Sequence, residues 1–165
     1  MSASAQEVVV DQKRELLRHA LATLAYRGGK FLKDAPPEFA NFDTGEGRTP
    51  LVILAHVGDL LDWALRHAQG ESRWTTAPPG EWEAQTARFH DALAKLDAYL
   101  ASDAPLGCEW RRLFQGPLAD ALTHVGQIAM LRRMSGAPVH GENYFVADIE
   151  TGRVGADQAP PRRPF

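Results

Sequence analysis

Apolar residues recur at helical spacing in four stretches of the chain. Val10, Leu17, Leu21, Leu24 and Phe31 follow one another at intervals of seven, four, three and seven, one stripe of a helix. This predicts a helix over about 6–32, weakened in its last turn by Gly28-Gly29. A second helix is predicted from Thr49-Pro50, because threonine caps an N-terminus and proline suits the first helical position. It runs to about His67, with Gly70 as a stop. The third follows Pro78-Pro79-Gly80. Trp82, Phe89, Leu93, Leu96 and Leu100 mark its buried stripe, and Glu81 and Glu83 suit its electropositive start. The fourth opens at Gly116-Pro117 and closes with Arg132, Arg133 and Gly136, cations and then a glycine.

Four amphipathic helices without a clear strand pattern between them predict an all-α fold, a four-helix bundle over residues 1–136. Segments 33–48 and 101–116 are long for helical hairpins and are expected to cross the bundle. Trp110, Leu113 and Phe114 are expected to pack the second crossover down. Residues 137–165 read as an irregular C-terminal tail rich in proline, glycine and charge, lying on the bundle or on a partner subunit. Within it Tyr144–Ile149 is strand-like, with Phe145, Ala147 and Ile149 alternating.

Composition narrows the function classes. The chain has 165 residues, a length that suits one domain with a proper core. Its net charge of −3 argues against a dedicated nucleic-acid binder. The longest apolar runs, such as Leu51-Val52-Ile53-Leu54-Ala55, fall far short of the roughly 18 residues of a membrane span. The first residues lack the charged-then-apolar pattern of a signal peptide, so a cytoplasmic location is expected. One cysteine, Cys108, excludes an intrachain disulfide framework and a multi-cysteine zinc site.

The fourth helix carries the best chemical signal. At 100° per residue Asp120, His124, Ile128 and Leu131 fall within about 80° of one another, which puts an acid and an imidazole one turn apart in an apparently buried stripe. Buried groups of this kind need a partner, and a divalent metal would satisfy both. His56, at the edge of the second helix's apolar face beside Leu60 and Trp63, offers a third ligand. Three protein ligands and an open position are what a catalytic metal site requires. The same residues also admit a plainer reading. Asp120 would stabilise the positive end of its helix, and His124 would be a core histidine bonded to it. No phosphate-cradling glycine loop, nucleophile elbow or pair of Glu-x-x-His motifs is present.

The segment Gly116-Pro117-Leu118-Ala119-Asp120-Ala121-Leu122-Thr123-His124-Val125-Gly126-Gln127 resembles the last bundle helix of the DinB-like (DinB/YfiT) superfamily. That helix typically carries a histidine followed by x-Gly-Gln, with another ligand one turn earlier. Thr49-Pro50-Leu51-Val52-Ile53-Leu54-Ala55-His56-Val57-Gly58-Asp59 similarly resembles the family's second helix, where an Ala-His or Leu-x-His step supplies the first ligand. The resemblance spans roughly residues 6–136 and implies a four-helix bundle with long crossover loops, a homodimer, and metal ligands at His56, Asp120 and His124. Members more usually present three histidines. Asp120 in place of one hardens the site, leaving zinc, nickel, manganese or iron open.

Characterised relatives include transferases and isomerases that use low-molecular-weight thiols. The resemblance therefore implies a metal-dependent enzyme acting on a small molecule, a thiol S-transferase or a hydrolase working through a metal-bound thiol or water. Gln127 is the expected outer partner of the site, with Leu60, Trp63 and Tyr144 as pocket residues. The alternative is a non-catalytic dimeric bundle that uses the same polar cluster for structure or ligand sensing.

Overall fold

A computed structural model describes residues 11–45 and 47–165. Four long helices build it: α1 (Gln12–Leu32), α2 (Pro50–Ala68), α3 (Trp82–Ala101) and, after a short α4 (Trp110–Leu113), α5 (Ala119–Met134). The Asp11 carboxylate caps α1 by accepting from the Lys13 amide at 3.0 Å, so the described part of the first helix starts later than the predicted 6. The predicted turn 6–10, with Val10, lies outside the described residues. Thr49 caps α2 as predicted, its Oγ1 accepting from the Val52 amide, and Gly70 follows its end at φ +90°.

Each helix has two substantial neighbours. Helices α1 and α2 both pack against α3 and α5, which leaves α1 opposite α2 and α3 opposite α5. The long segments 33–49 and 102–109 therefore run diagonally across the ends of the bundle, as their lengths suggested. The second is tied down where Gly107 donates its amide to the Ala68 carbonyl at 2.7 Å. A Cβ on Gly107 would lie 2.3 Å from the Gly70 backbone, so this crossing needs two glycines.

The core is formed by the predicted stripes. Leu17, Leu21 and Leu24 of α1 meet Ile53, Val57 and Leu61 of α2 and Phe89, Leu93, Leu96 and Leu100 of α3, all buried. Burying each such side chain is worth about 1.5–3 kcal/mol relative to exposure, the main force holding the helices together. Trp82 sits at the edge of this core, perpendicular to Phe39 at 5.4 Å. Charged clasps lock the pairs. Arg14 of α1 donates to the carbonyls of Tyr99, Leu100, Ser102 and Ala104 at the end of α3. Arg18 pairs with Asp97 at 2.9 Å, and Arg88 of α3 bridges Asp59 and Asp62 of α2 at 2.7 and 2.6 Å.

Two predicted features differ in the structure. The fourth helix does not open at Gly116-Pro117: helix begins at Trp110 and passes through a π-helical segment, Phe114–Leu118, straight into α5. Proline lacks an amide hydrogen, and the wider turn accommodates that missing donor inside the helix instead of ending it. The strand-like piece is not a strand, and no strand occurs among the described residues. The Asn143 side chain accepts from the Phe145 amide and turns Tyr144–Val146 into a 3₁₀ turn, leaving Phe145 96% exposed.

The tail lies against the bundle. Glu142 is buried against α1, accepting from Tyr26 Oη at 2.8 Å and Lys30 Nζ at 2.7 Å. Val154 enters the core beside α3, where its carbonyl meets His90 Nδ1 at 3.2 Å. Asn143 and Phe165 amides bond to the Arg163 and Gly141 carbonyls, closing the tail on itself. No helix among the described residues is long and apolar enough to cross a membrane.

Candidate metal centre

His56 stands in the second turn of α2, and Asp120 and His124 stand one turn apart on α5, a helix that packs directly on α2. The tertiary structure brings the three together. His56 Nε2 lies 3.9 Å from Asp120 Oδ2, and His124 Nε2 lies 3.5 Å from Asp120 Oδ1. The two imidazoles meet edge to face with centroids 4.8 Å apart. One ligand atom from each residue falls within 4.8 Å of the others, and the group could hold a metal ion.

Asp120 is not in a buried stripe, as the sequence suggested, since its side chain is 48% exposed. The buried face of α5 passes through Ala121, Val125, Ile128 and Arg132. On the helical wheel its centre lies about 110° from Asp120 and about 70° from His124. Leu131 and His124 are therefore half-buried on the shoulder of the helix, with Asp120 beyond them at the rim. The carboxylate can reach solvent, so burial by itself does not demand an ion. The helix-end explanation loses its basis as well. Helical structure runs unbroken from Trp110, which places Asp120 well beyond the first turn, where the helix dipole acts.

His124 is oriented from its other side. Its Nδ1 lies 2.7 Å from the Gln127 side-chain oxygen, and in the tautomer that donates this bond Nε2 presents its lone pair toward Asp120. Gln127 thus contacts His124 on the nitrogen that does not face Asp120. Burial holds the His56 imidazole below its ordinary titration range. The charges of His124 and Arg48 add to this, against the opposing pull of Asp120 and Asp59. A neutral imidazole is the form that binds a cation.

Two clefts flank the group. His56, His124 and Gln127 open onto one of about 560 Å³, walled by Thr44, Arg48, Met130 and Leu131. Asp120 faces another of about 400 Å³, lined by Leu60, Trp63, Gln115 and Thr123. Leu60 and Trp63 thus line the same cleft as Asp120. Tyr144 does not: it sits on α1, with its ring 6.3 Å from Tyr26 and beneath the Arg27 guanidinium at 4.2 Å. The reason is the 3₁₀ turn, which folds this part of the tail onto α1.

The sequence gives Arg48 no role and leaves Trp74 open between a pocket and an interface. Trp74 stacks 5.7 Å from His56 and 5.5 Å from Trp63, and Trp63 in turn meets His67 at 4.6 Å. Both lie in irregular segments, where no periodicity indicates a direction. The loop carrying Trp74 is held by Asp59, which accepts from the Ala77 amide at 3.2 Å, and by Arg66, which donates to Thr75 Oγ1 at 2.7 Å. Two other histidines are engaged elsewhere: His19 lies 3.4 Å from Thr151 Oγ1, and His90 contacts Val154. Burial, opposed by the Val154 carbonyl, lowers the His90 titration range. Cys108 is half-buried, and burial together with Glu109 raises its thiol, which argues against a nucleophile. Comparison with family models, with curated proteins and with solved structures gave no match for this chain.

Proposed function

We propose that the protein is a metal-dependent enzyme of the DinB-like superfamily, acting on a small molecule, with one divalent transition metal held by His56, Asp120 and His124. The observation that supports this is the convergence of two imidazole nitrogens and a carboxylate from two packed helices within 4.8 Å. Ligands bound at 2.0–2.1 Å around a tetrahedral zinc stand about 3.3 Å apart, so side-chain movements of about 1.5 Å at most close the present group onto an ion. The donor set, two nitrogens and an oxygen, suits zinc, nickel, manganese or iron. Gln127 adds the acceptor that metal-binding histidines generally have on their second nitrogen.

A divalent cation there supplies Lewis acidity, lowering the pKa of a thiol or water. This fits thiol transfer from a low-molecular-weight thiol, or hydrolysis. The chain's own residues arrange the rest. Gln127 orients the His124 ring, the apolar Ile53 and Leu131 wall the larger cleft, and Trp63 and Trp74 shield the His56 side. The test is elemental analysis by inductively coupled plasma mass spectrometry on protein purified without chelator. About one equivalent of a transition metal is expected, absent from His56→Ala and His124→Ala variants that still fold. A metal-free protein that stays metal-free after incubation with zinc, nickel and manganese would overturn the reading.

A second reading rests on Asp120 lying within 4 Å of both imidazoles, which gives each a polar neighbour without an ion. The cluster would then be a polar seam between α2 and α5 in a non-catalytic bundle, and the same analysis separates the two.

A further inference from the structure

A second cleft, on α1 and away from the metal centre, has an unusual balance of charge. It is formed by α1, the C-terminal half of α5 and the tail, and encloses about 210 Å³. Arg27 of α1, Arg133 of α5 and His140 of the tail line it, and none of these side chains makes a hydrogen bond or ion pair with any described residue. The one carboxylate in its wall, Glu142, is fully buried and already bonded to Tyr26 and Lys30. Asp148, whose charge also reaches Tyr26, is paired with Arg162 at 2.8 Å. Two guanidiniums thus share a concave site whose nearby carboxylate side chains, Glu142 and Asp148, are already paired elsewhere. An anion lying between the two guanidiniums would be attracted by both.

Three of the other lining residues are aromatic: Phe31, Tyr144 and Phe165. Arg27 lies over the Tyr144 ring at 4.2 Å, and Lys30 approaches the same ring at 5.5 Å. Stacking uses the face of a guanidinium and leaves its in-plane N–H donors available, the edge that grips a carboxylate through two bonds. The cleft has the room of about seven water molecules at roughly 30 Å³ each, the size of a single substituted ring.

We propose that this cleft binds a small aromatic carboxylate, with the carboxylate between Arg27 and Arg133 and the ring against Tyr144, Phe31 and Phe165. The site is separate from the metal centre and does not depend on it. The test is calorimetric titration of chelator-treated full-length protein with benzoate, with benzyl alcohol and inorganic phosphate as comparison probes. One benzoate per chain is expected, weakened at least tenfold in Arg133→Gln and in Arg27→Gln, and unchanged in His124→Ala. Benzyl alcohol should give no heat, and phosphate should bind at least tenfold more weakly than benzoate. Arg133→Gln removes no contact within the protein, so its fold should be intact, checked by its melting temperature. Absence of benzoate binding, or equal binding by both arginine variants, would overturn the proposal. Phosphate binding as tight as benzoate would remove the aromatic part and overturn it as stated.

Discussion

His124 Nδ1 lies 2.7 Å from the side-chain oxygen of Gln127, and this contact orients the ring so that Nε2 faces Asp120. Without it the imidazole could turn or change tautomer. Gln127→Ala should therefore weaken metal binding about 10–100-fold while leaving the melting temperature of the metal-free protein unchanged. Competition with a chromophoric chelator measures this. Equal affinity in the variant would mean that the bond orients nothing.

Metal bound at the seam between α2 and α5 stabilises the folded state by mass action. At free metal one hundred times the dissociation constant the gain is about 2.7 kcal/mol, and for a chain of this size each kcal/mol moves Tm by about 2–4 °C. Differential scanning fluorimetry should show a drop of about 5–10 °C on adding chelator to wild type, and none for His56→Ala.

Stability should also depend on pH through His90. Burial depresses its titration below the ordinary value of 6.5, so the unfolded chain binds its proton more readily than the folded one. The contribution is complete above pH 6.5 and is lost as pH falls below that value toward the lowered one. His56 is shifted in the same direction when no metal is present. Urea denaturation of chelator-treated protein should give a lower midpoint at pH 5.5 than at pH 7.5. His90→Gln, whose amide can still donate to the Val154 carbonyl, should show a smaller pH difference.

The Arg88 clasp should be costly to break. Asp59 is 2% exposed, and Arg88 is its charge partner at 2.7 Å. Arg88→Ala leaves that carboxylate buried with the Ala77 amide, at a cost of about 3–5 kcal/mol by urea denaturation. Gly58→Ala should act by the same route, because its Cβ would stand 2.8 Å from the guanidinium. Asp59 also anchors the loop that carries Trp74, so both variants should alter Trp74 fluorescence.

The elements that could be read in the sequence were those specified by local chemistry. Thr49-Pro50 starts α2, the leucines of α1 and α3 face the core, and Asp120 and His124 share a helix one turn apart, because helical periodicity and capping are properties of neighbours in the chain. Gly116-Pro117 misled because a proline reads locally as a helix start. Only packing against α2 and α5 decided that the helix would continue through it with a wider turn. The strand-like Tyr144–Ile149 had no neighbouring strand to pair with, and the Asn143 cap turned it aside. For the site, the sequence supplied the residue types and the direction of each side chain around its own helix. A helical wheel carries no information on how far one helix slides along another. The meeting of His56 with His124 at one level, Asp120 at the solvent rim, and Trp74 folded over His56 all depend on that register, which only the tertiary packing of α2 on α5 determined.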